Sequence, residues 1–311
     1  MSAAARLYIK TMKYDKLPPE IVEEILVYCD PIDVAHVAET CSVMRDIIYR
    51  SEDSKLWREL YLAQPFDDPR DCVSEAGQPR ADPIPWKSEL QHIIRARIVV
   101  CSMNPWSILK SGELVTILNT LLDMVCYIPP RTSNDSLEDL SSNLLWVAVM
   151  LRMGFIDLVE ASTLATEEER CLTARLHTYY GLTKVDGKRM ARVKSRAYVY
   201  DMRNYHPDNK YGPFLADGTV DWKHMQALHH VVSMHMVSLK EDEEFEYAVF
   251  PLSLPYTQIV MPREDPEEKD DWAGVNGYWA VSFCFCDHRD LLSEHSFVFS
   301  CSVYLNGVSR I

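Results

Sequence analysis

Residues 14–62 contain short apolar clusters at helical spacing, the first two of which follow prolines, and this stretch limits what the first part of the chain can fold into. After Pro18 and Pro19, apolar residues recur at helical spacing from Ile21 to Cys29, with glutamates between them. Proline fits the first turn of a helix, where its missing N–H leaves no hydrogen bond unmade. Helices this short cannot enclose a good core of their own. We therefore expect their spare apolar surface to be covered by the rest of the chain or by another protein.

Further helical segments are predicted within the same stretch. Asp30 stands at an N-cap position and Pro31 follows at the first helical position. An apolar stripe then runs over residues 34–41, and apolar residues continue at helical spacing over residues 44–61. The sequence predicts three short helices in this region.

The spacing of these residues resembles that of an F-box. The matching pattern is Leu-Pro-x-Glu-Ile-x-x-x-Ile-Leu at the start, Pro-x-Asp-Val in the middle, and then Cys41, Ile47 and Leu56-Trp57-Arg58. The resemblance implies docking onto a Skp-family adaptor, and through it onto the cullin of a cullin–RING ubiquitin ligase of the SCF type. Carried over position by position, it implies the adaptor-facing residues Leu17, Pro18, Ile21, Ile25, Leu26, Val34 and Trp57.

One position departs from the family pattern. Cys29-Asp30 stands where many F-box proteins have a leucine and a small linker. This difference leaves the docking angle open. The alternative interpretation of the whole stretch is a fragment of helical core that has F-box spacing by chance.

The charge of the chain argues against two classes of partner. The 311 residues are 47% hydrophobic and 25% charged, with a formal net charge of -14. That composition is ordinary for a folded protein of about two domains. Nucleic acids and anionic membranes are recognised by clustered lysine and arginine, so we expect neither as a partner. The one basic run, residues 188–196, is interpreted as a solvated face, with an anion site as the alternative.

Cysteine usage and the N-terminus predict a cytoplasmic or nuclear protein. The nine cysteines are an odd number, mostly embedded in apolar stretches, which favours buried free thiols in a reducing compartment. Examples are Cys41, Cys101, Cys126 and Cys284. The first residues lack the apolar segment of a signal peptide, and the longest apolar run is too short to span a bilayer.

The middle of the chain is predicted to be a linker followed by a helical block. Residues 63–85 are rich in proline, which forbids a helix there. Residues 86–181 carry four or five helical patterns, one of which begins with a capping box formed by Thr166 and Glu169. Another of these helices is predicted to open at Ser136.

Residues 185–311 are predicted to form an α+β domain that presents a target. Aromatic and β-branched content favours strands at 197–203, 278–286 and 297–305, and a helix is predicted over 222–236. We expect an antiparallel sheet with that one helix packed on it. Short pieces of this region are weakly similar to the C-terminal regions of fungal F-box proteins. Those regions usually run on longer, so we expect either a truncated domain or an open sheet edge here.

Two sets of residues have some of the features of metal sites. Cys284, Cys286 and His288 lie within five residues, but a second paired group is missing, so buried thiols are the preferred interpretation. Four histidines at 224, 229, 230 and 235 lie along one predicted helix, and their spacing does not bring a ligand set to one face. We predict no metal and no cofactor.

Sequence motifs of catalysis are missing as well. The chain contains no Gly-x-Ser-x-Gly elbow, no P-loop and no Gly-x-Gly-x-x-Gly fingerprint. We therefore predict a non-catalytic chain. Among the aromatic residues on polar, glycine-containing loops, Trp272 is the best candidate for a target contact, although a structural role is the preferred interpretation of each.

Together these patterns predict an α+β protein with a three-helix F-box, a helical linker block and a C-terminal antiparallel sheet domain. The predicted function is that of a substrate receptor, which holds a protein target near a ubiquitin ligase without doing chemistry itself. Two alternatives stay open. One is a scaffold that binds the adaptor without delivering ubiquitin, and the other is a metal- or ligand-binding C-terminal domain.

Overall fold

The computed structural model describes residues 17–50, 54–130 and 140–236, and the regular secondary structure of these residues is helical. Eleven α-helices occur in them. The helices are α1 (Pro19–Leu26), α2 (Pro31–Thr40), α3 (Ser42–Tyr49), α4 (Lys55–Leu62), α5 (Trp86–Val100), α6 (Glu113–Cys126), α7 (Ser142–Leu151), α8 (Phe155–Ala161), α9 (Glu167–Tyr180), α10 (Arg189–Val199) and α11 (Trp222–Met236). Single 3-10 turns occur at Pro105–Ser107, Met202–Asn204 and Pro207–Asn209.

The first four helices form a small layer, one helix more than the sequence predicted. The segment that follows Cys41 divides into α3 and α4, whose apolar faces are both strongly one-sided. The predicted start of α2 is confirmed, because the Asp30 side chain accepts a hydrogen bond from the Ile32 N–H at 2.9 Å and Pro31 opens the helix. Helix α1 packs on α3 and α4, and α2 packs on α3.

One continuous apolar core joins this layer to the helices that follow. It extends from Val22 in α1 to Leu176 in α9, and α5 and α6 form its middle. Helix α5 buries Leu90 and Ile93 almost completely, between α4 on one side and α6 on the other. The four short helices therefore complete their core by sharing it with α5, as helices of this length require.

The proline-rich residues 63–85 contain no helix, and they contact the block that follows. The Asp67 carboxylate accepts hydrogen bonds from the Ser142 N–H at 2.9 Å and the Asn143 N–H at 3.1 Å, at the first turn of α7. A single antiparallel bridge also joins Val73 to Ile128. The boundaries predicted for the domains stay a prediction.

The prediction of an α+β fold is wrong for the residues that the structure describes, which contain no strand. The predicted strand at 197–203 is the end of α10 followed by the 3-10 turn Met202–Asn204. Aromatic and β-branched residues at 198–200 favoured a strand, but the eight residues before Ala197 are mostly strong helix formers. Ser195 and Val199, four residues apart, also lie on one helical face. The predicted strands at 278–286 and 297–305 lie outside the described residues.

Other predicted elements agree with the structure in part. The capping box of Thr166 and Glu169 and the helix over 222–236 are confirmed. Helix α7 begins at Ser142 instead of Ser136, because Ser141 supplies the N-cap oxygen, which accepts from the Leu144 N–H. Of the cysteines expected to be buried, Cys126 is buried and Cys41 and Cys101 are exposed. Within the described ranges every helix is too short or too polar to cross a bilayer.

Candidate functional site

An exposed apolar face on α1 and its flanks is the clearest candidate for a binding surface in the first four helices. Leu17, Ile21, Ile25 and Tyr28 are 37%, 48%, 53% and 85% exposed. Their spacing of four, four and three residues places them on one side of the helix. We call these four residues the α1 outer face. Large apolar side chains that share one helix face this way typically mark a protein contact.

The opposite side of α1 explains why its outer face stays uncovered. Val22 and Leu26 are 6% and 4% exposed and belong to the apolar core. They hold α1 against α3 and α4. Since α1 has one face in the core, Ile21 and Ile25 necessarily point outward. Glu20 and Glu24 flank them on the solvent side and are exposed.

The comparison with protein families agrees with this geometry. The family model named F-box-like matches residues 14–63. The chain carries an F-box-like domain. Comparisons with curated proteins and with solved structures found no match. The matched residues contain α1 to α4 of the structure, and the α1 outer face belongs to the first helix of the F-box-like domain.

The adaptor-facing residues predicted from the sequence fall into two groups within the F-box-like domain. Leu17, Pro18, Ile21 and Ile25 are exposed and lie together on or beside the α1 outer face. The other three are buried, and they are Leu26 at 4%, Val34 at 0% and Trp57 at 7% exposure. The adaptor contact of all seven stays a prediction.

Trp57 has a structural role that its buried position makes clear. Its indole Nε1–H donates to the Ile48 carbonyl at 2.9 Å, which ties α4 to α3. Its ring lies 5.6 Å from that of Tyr49, and the Lys87 ammonium of α5 lies 5.8 Å from the Trp57 ring. The side chain therefore braces the junction between the F-box-like domain and α5.

Tyr28 is the residue of the α1 outer face that the sequence reasoning missed. It lies three residues after Ile25 and seven after Ile21, so the same helical stripe extended by one step would have included it. An aromatic residue that combines a large apolar ring with a hydroxyl is well suited to a protein interface. Trp272, the predicted target contact, lies outside the described residues.

A second constellation, a buried polar cluster, lies far along the chain from the F-box-like domain. The His177 ring of α9 contacts two carboxylates, with Nδ1 2.7 Å from Glu160 Oε1 and Nε2 2.8 Å from Asp186 Oδ2. Asp186 Oδ2 also accepts from the Thr183 N–H at 2.7 Å, and Glu160 accepts from the Gln226 amide at 2.7 Å. The cluster thereby joins α8, α9, α11 and the loop before α10.

The electrostatics of this cluster favour a charged imidazolium. Burial by itself lowers the pKa of His177, but the negative charge of Asp186 and hydrogen bonds to Asp186 and Glu160 outweigh it and raise the pKa to about 10. Although burial opposes ionisation of Asp186 too, the imidazolium and the Thr183 N–H keep the pKa of that carboxyl below its ordinary value. Both ring nitrogens therefore donate, and the imidazolium forms an ion pair with each of the two carboxylates.

His224 and His230 of α11 are buried hydrogen-bonding groups. Burial lowers the pKa of His224, and its Nε2 lies 3.2 Å from the Tyr205 hydroxyl. His230 Nε2–H donates to the Asp186 carbonyl at 3.1 Å, and the Ser195 hydroxyl donates to its Nδ1. The described residues contain no group of three or more His, Cys, Asp or Glu side chains that could hold a metal. The Cys284, Cys286 and His288 set lies outside them.

Sequence reasoning missed the buried polar cluster for a physical reason. Glu160, His177 and Asp186 lie on three different elements, 17 and nine residues apart. No local spacing rule relates residues that meet only through tertiary packing. The one local signal is a histidine in the last turn of a helix, where the dipole favours a cation.

Proposed function

We propose that this chain is the substrate-receptor subunit of an SCF-type cullin–RING ubiquitin ligase, with the α1 outer face as its dock for a Skp-family adaptor. F-box domains bind this adaptor in SCF complexes, and the F-box-like match supplies the class of partner. The observation that carries the proposal is the row of large apolar side chains along α1, of which Tyr28 is 85% exposed. Fully burying one such side chain contributes about 1.5–3 kcal/mol.

The proposed mechanism is proximity. The receptor holds a protein target near the charged ubiquitin carrier and so raises their effective concentration, without a catalytic group of its own. Such a receptor benefits from a rigid connection between its adaptor end and its target end. The apolar core shared by the F-box-like domain and α5 supports this part of the proposal.

Two polar contacts add to that rigid connection. The Arg97 guanidinium of α5 donates to the Asp30 carboxylate at 2.7 Å, at the start of α2. The Lys87 ammonium, also from α5, donates to the Tyr49 carbonyl at 3.2 Å and lies 5.0 Å from the Tyr49 ring. These contacts place α5 against two different helices of the F-box-like domain, which resists rotation about either one.

The finer assignments are also proposals. The residues after 185, including Trp272, are proposed to contact the target, because an aromatic side chain on a glycine-containing loop offers a large contact area. The protein is proposed to act in the cytoplasm or the nucleus, where cullin–RING ligases operate.

A matched pair of variants tests the adaptor dock. In Ile21→Asp/Ile25→Asp two side chains of the α1 outer face, 48% and 53% exposed, become charged. In the control, Leu145→Asp/Val149→Asp, two α7 side chains at the same spacing, 41% and 58% exposed, become charged outside the F-box-like domain. We expect the first variant to bind a purified Skp-family adaptor at least about 100-fold more weakly and the control to bind like the wild type, because each buried charge costs several kcal/mol.

Equal binding by the two variants would contradict the proposed dock. Co-purification then separates the receptor from the scaffold alternative. Wild-type chain that brings down both the adaptor and cullin supports the receptor, whereas adaptor without cullin supports a scaffold that delivers no ubiquitin. Proximity labelling with the wild-type chain and the Ile21→Asp/Ile25→Asp chain would identify the target.

A further inference from the structure

Positive charge is concentrated on α10, which lies near the C-terminal end of the described residues. The helix contains four basic side chains and no acidic one, and Lys188 stands at its N-cap without a capping hydrogen bond. Basic side chains at a helix N-terminus oppose the dipole, so an anion is favoured nearby. Within the described residues, Lys188, Arg189 and Arg192 have no side-chain hydrogen bond or ion pair.

Three of these basic residues share one side of α10. With 100° between successive helical positions, Lys188, Arg189 and Arg192 lie within about 100° of one another. The same side contains Ser195, which donates its hydroxyl hydrogen to His230 of α11. Lys194 lies on the other side of the helix, next to the exposed Met190. We call Lys188, Arg189 and Arg192 the α10 basic face.

The packing of α10 against α11 brings the end of α11 to this basic face. The His224 ring, near the start of α11, lies 5.4 Å from the ring of Tyr198, near the end of α10. Six residues later, His230 contacts Ser195 and, through its Nε2, the Asp186 carbonyl that precedes α10. The two helices are therefore antiparallel. Met236, six residues beyond His230, lies level with the first turns of α10.

The chain that leaves α11 at this point is strongly acidic. Residues 237–311 hold 14 acidic and five basic side chains, a net charge of -9 out of the -14 of the whole chain. Five of the six residues 241–246 are acidic. Because an extended chain spans at most about 3.6 Å per residue, Glu241 lies within about 18 Å of Met236. That reach is slightly more than the length of α10, about 16 Å at 1.5 Å per residue.

We propose that the acidic tract at residues 241–246 binds the α10 basic face of the same chain. Charge complementarity favours this occupant, and so does the short connection. The second acidic tract, residues 264–268, follows Met236 at a distance of 28 residues or more, and a longer loop costs more entropy to close. The contact pairs three basic side chains with a tract in which five of six residues are acidic.

Zero-length crosslinking of the wild-type chain tests the contact directly. A carbodiimide joins a lysine amine to a carboxylate only when the two groups touch. We expect crosslinks from Lys188 to residues 241–246 and none from Lys194 to those residues, and we expect the Lys188 crosslinks to disappear in 1 M salt, where the Debye length is about 3 Å. Mixing 14N- and 15N-labelled chains separates crosslinks within one chain from crosslinks between two copies. Lys188 crosslinks that run only between copies, only to other carboxylates or not at all would overturn the proposal.

A matched pair of variants supplies an independent readout. Glu241, Asp242, Glu243 and Glu244 are changed to Gln or Asn in one chain, and Glu264, Asp265, Glu267 and Glu268 are changed likewise in the other. Both chains lose four negative charges. We expect amide hydrogen exchange over residues 189–193 to become about threefold to tenfold faster in the first variant alone, the size expected for the loss of several exposed ion pairs. Equal exchange in the two variants would contradict the proposal.

Discussion

The F-box-like domain and the C-terminal end of the described chain, α8 to α11, are stabilised in different ways. In the F-box-like domain the buried side chains are almost all apolar, among them Val34, Leu60 and Ile48 at 0–1% exposure. Around α9 to α11 the buried side chains include many polar ones, namely Glu169, Thr173, His177, Thr183, Asp186, His224, His230 and Ser233. The continuous apolar core reaches no further than Leu176 of α9.

This difference should make the stability of the two regions respond differently to pH and salt. Apolar packing is insensitive to pH and tolerates salt, so the F-box-like domain should keep its shape over a wide range of conditions. A buried polar network is rigid only when every member is satisfied, and it depends on the charge state of each group. We therefore expect the F-box-like domain, which we call the apolar half, to keep its structure as pH and salt change. We expect α8 to α11, which we call the polar half, to respond to both.

The largest effect is expected from truncating Trp57 in the apolar half. Trp57→Ala should lower the free energy of unfolding by about 3–5 kcal/mol, because it removes a buried ring that residues of both α3 and α5 contact. Trp57→Phe keeps much of the packing but leaves the Ile48 carbonyl without its indole partner, so we expect a loss of only about 1 kcal/mol. Chemical denaturation of both variants checks this ratio. If both variants lost a similar amount of unfolding free energy, the hydrogen bond of Trp57 would contribute more than its apolar packing. That result would contradict the description of this region as stabilised by apolar packing.

The second largest effect is expected in the polar half. Asp186→Asn keeps the shape of the side chain but leaves the His177 imidazolium without its more buried charge partner, so we expect a loss of about 3 kcal/mol. Glu160→Gln is the matched control, because Glu160 contacts the other ring nitrogen yet its side chain is 34% exposed, and water can replace part of the lost interaction. The unfolding free energies of the two variants should therefore differ by more than about 1 kcal/mol. An equal loss would show that burial does not set the strength of these pairs.

The contrast between the two halves also explains which parts of the structure could be predicted from the sequence. The starts of α2 and α9 could be predicted from local chemistry. Asp30 with Pro31, and Thr166 with Glu169, are N-terminal capping signals that act within one turn. The F-box-like pattern and the exposed side chains Ile21 and Ile25 were readable because apolar periodicity records which face of a helix is buried.

The parts that could not be predicted depend on contacts between distant residues. The strand expected at 197–203 followed from local composition, but the helix formers before it and the packing of Ser195 against α11 decide the outcome. The cluster that Glu160 and Asp186 form around the buried His177 has no signature in the sequence, because its members meet only after α8 and α9 have packed. Likewise, Leu26, Val34 and Trp57 belong to the F-box pattern, and only the packing places them beneath the surface.

A third prediction concerns pH, and it applies to the polar half alone. The folded-state pKa of His177 is raised to about 10, above its unfolded value near 6.5, so the stabilisation it supplies is complete below pH 6.5 and is lost as pH rises toward 10. Each pH unit in that window should lower the free energy of unfolding by about 1.4 kcal/mol.

Below pH 6.5, protonation at His229 has the opposite dependence on pH. Burial and the nearby positive His177 lower the pKa of His229 to about 4, so the unfolded state gains a proton first and the fold loses stability below pH 6.5.

Hydrogen exchange, corrected for its intrinsic pH dependence, checks this window in both halves at once. Protection of α9 to α11 should pass through a maximum near neutral pH, while protection of α1 to α4 should change much less. In His177→Gln the decline above pH 7 should disappear and the decline below pH 6.5 should remain. A decline above pH 7 that survives in His177→Gln would assign the effect to another group.

The smallest effect is expected at the junction between the F-box-like domain and α5. The Arg97 and Asp30 side chains are 26% and 41% exposed, so solvent screens their ion pair, and Arg97→Gln should cost less than about 1 kcal/mol. Asp30→Ala should cost more, about 1–2 kcal/mol, because it also removes the N-cap of α2. The hydrogen bond from Arg97, and after it the one from the Ile32 N–H, keep the pKa of Asp30 below its ordinary value even though burial raises it, so both contacts persist at neutral pH. If Arg97→Gln instead lowered the unfolding free energy as much as Asp30→Ala does, the Arg97–Asp30 ion pair would be a main source of stability at this junction. The contact between the F-box-like domain and α5 would then be sensitive to salt, as we expect for the polar half.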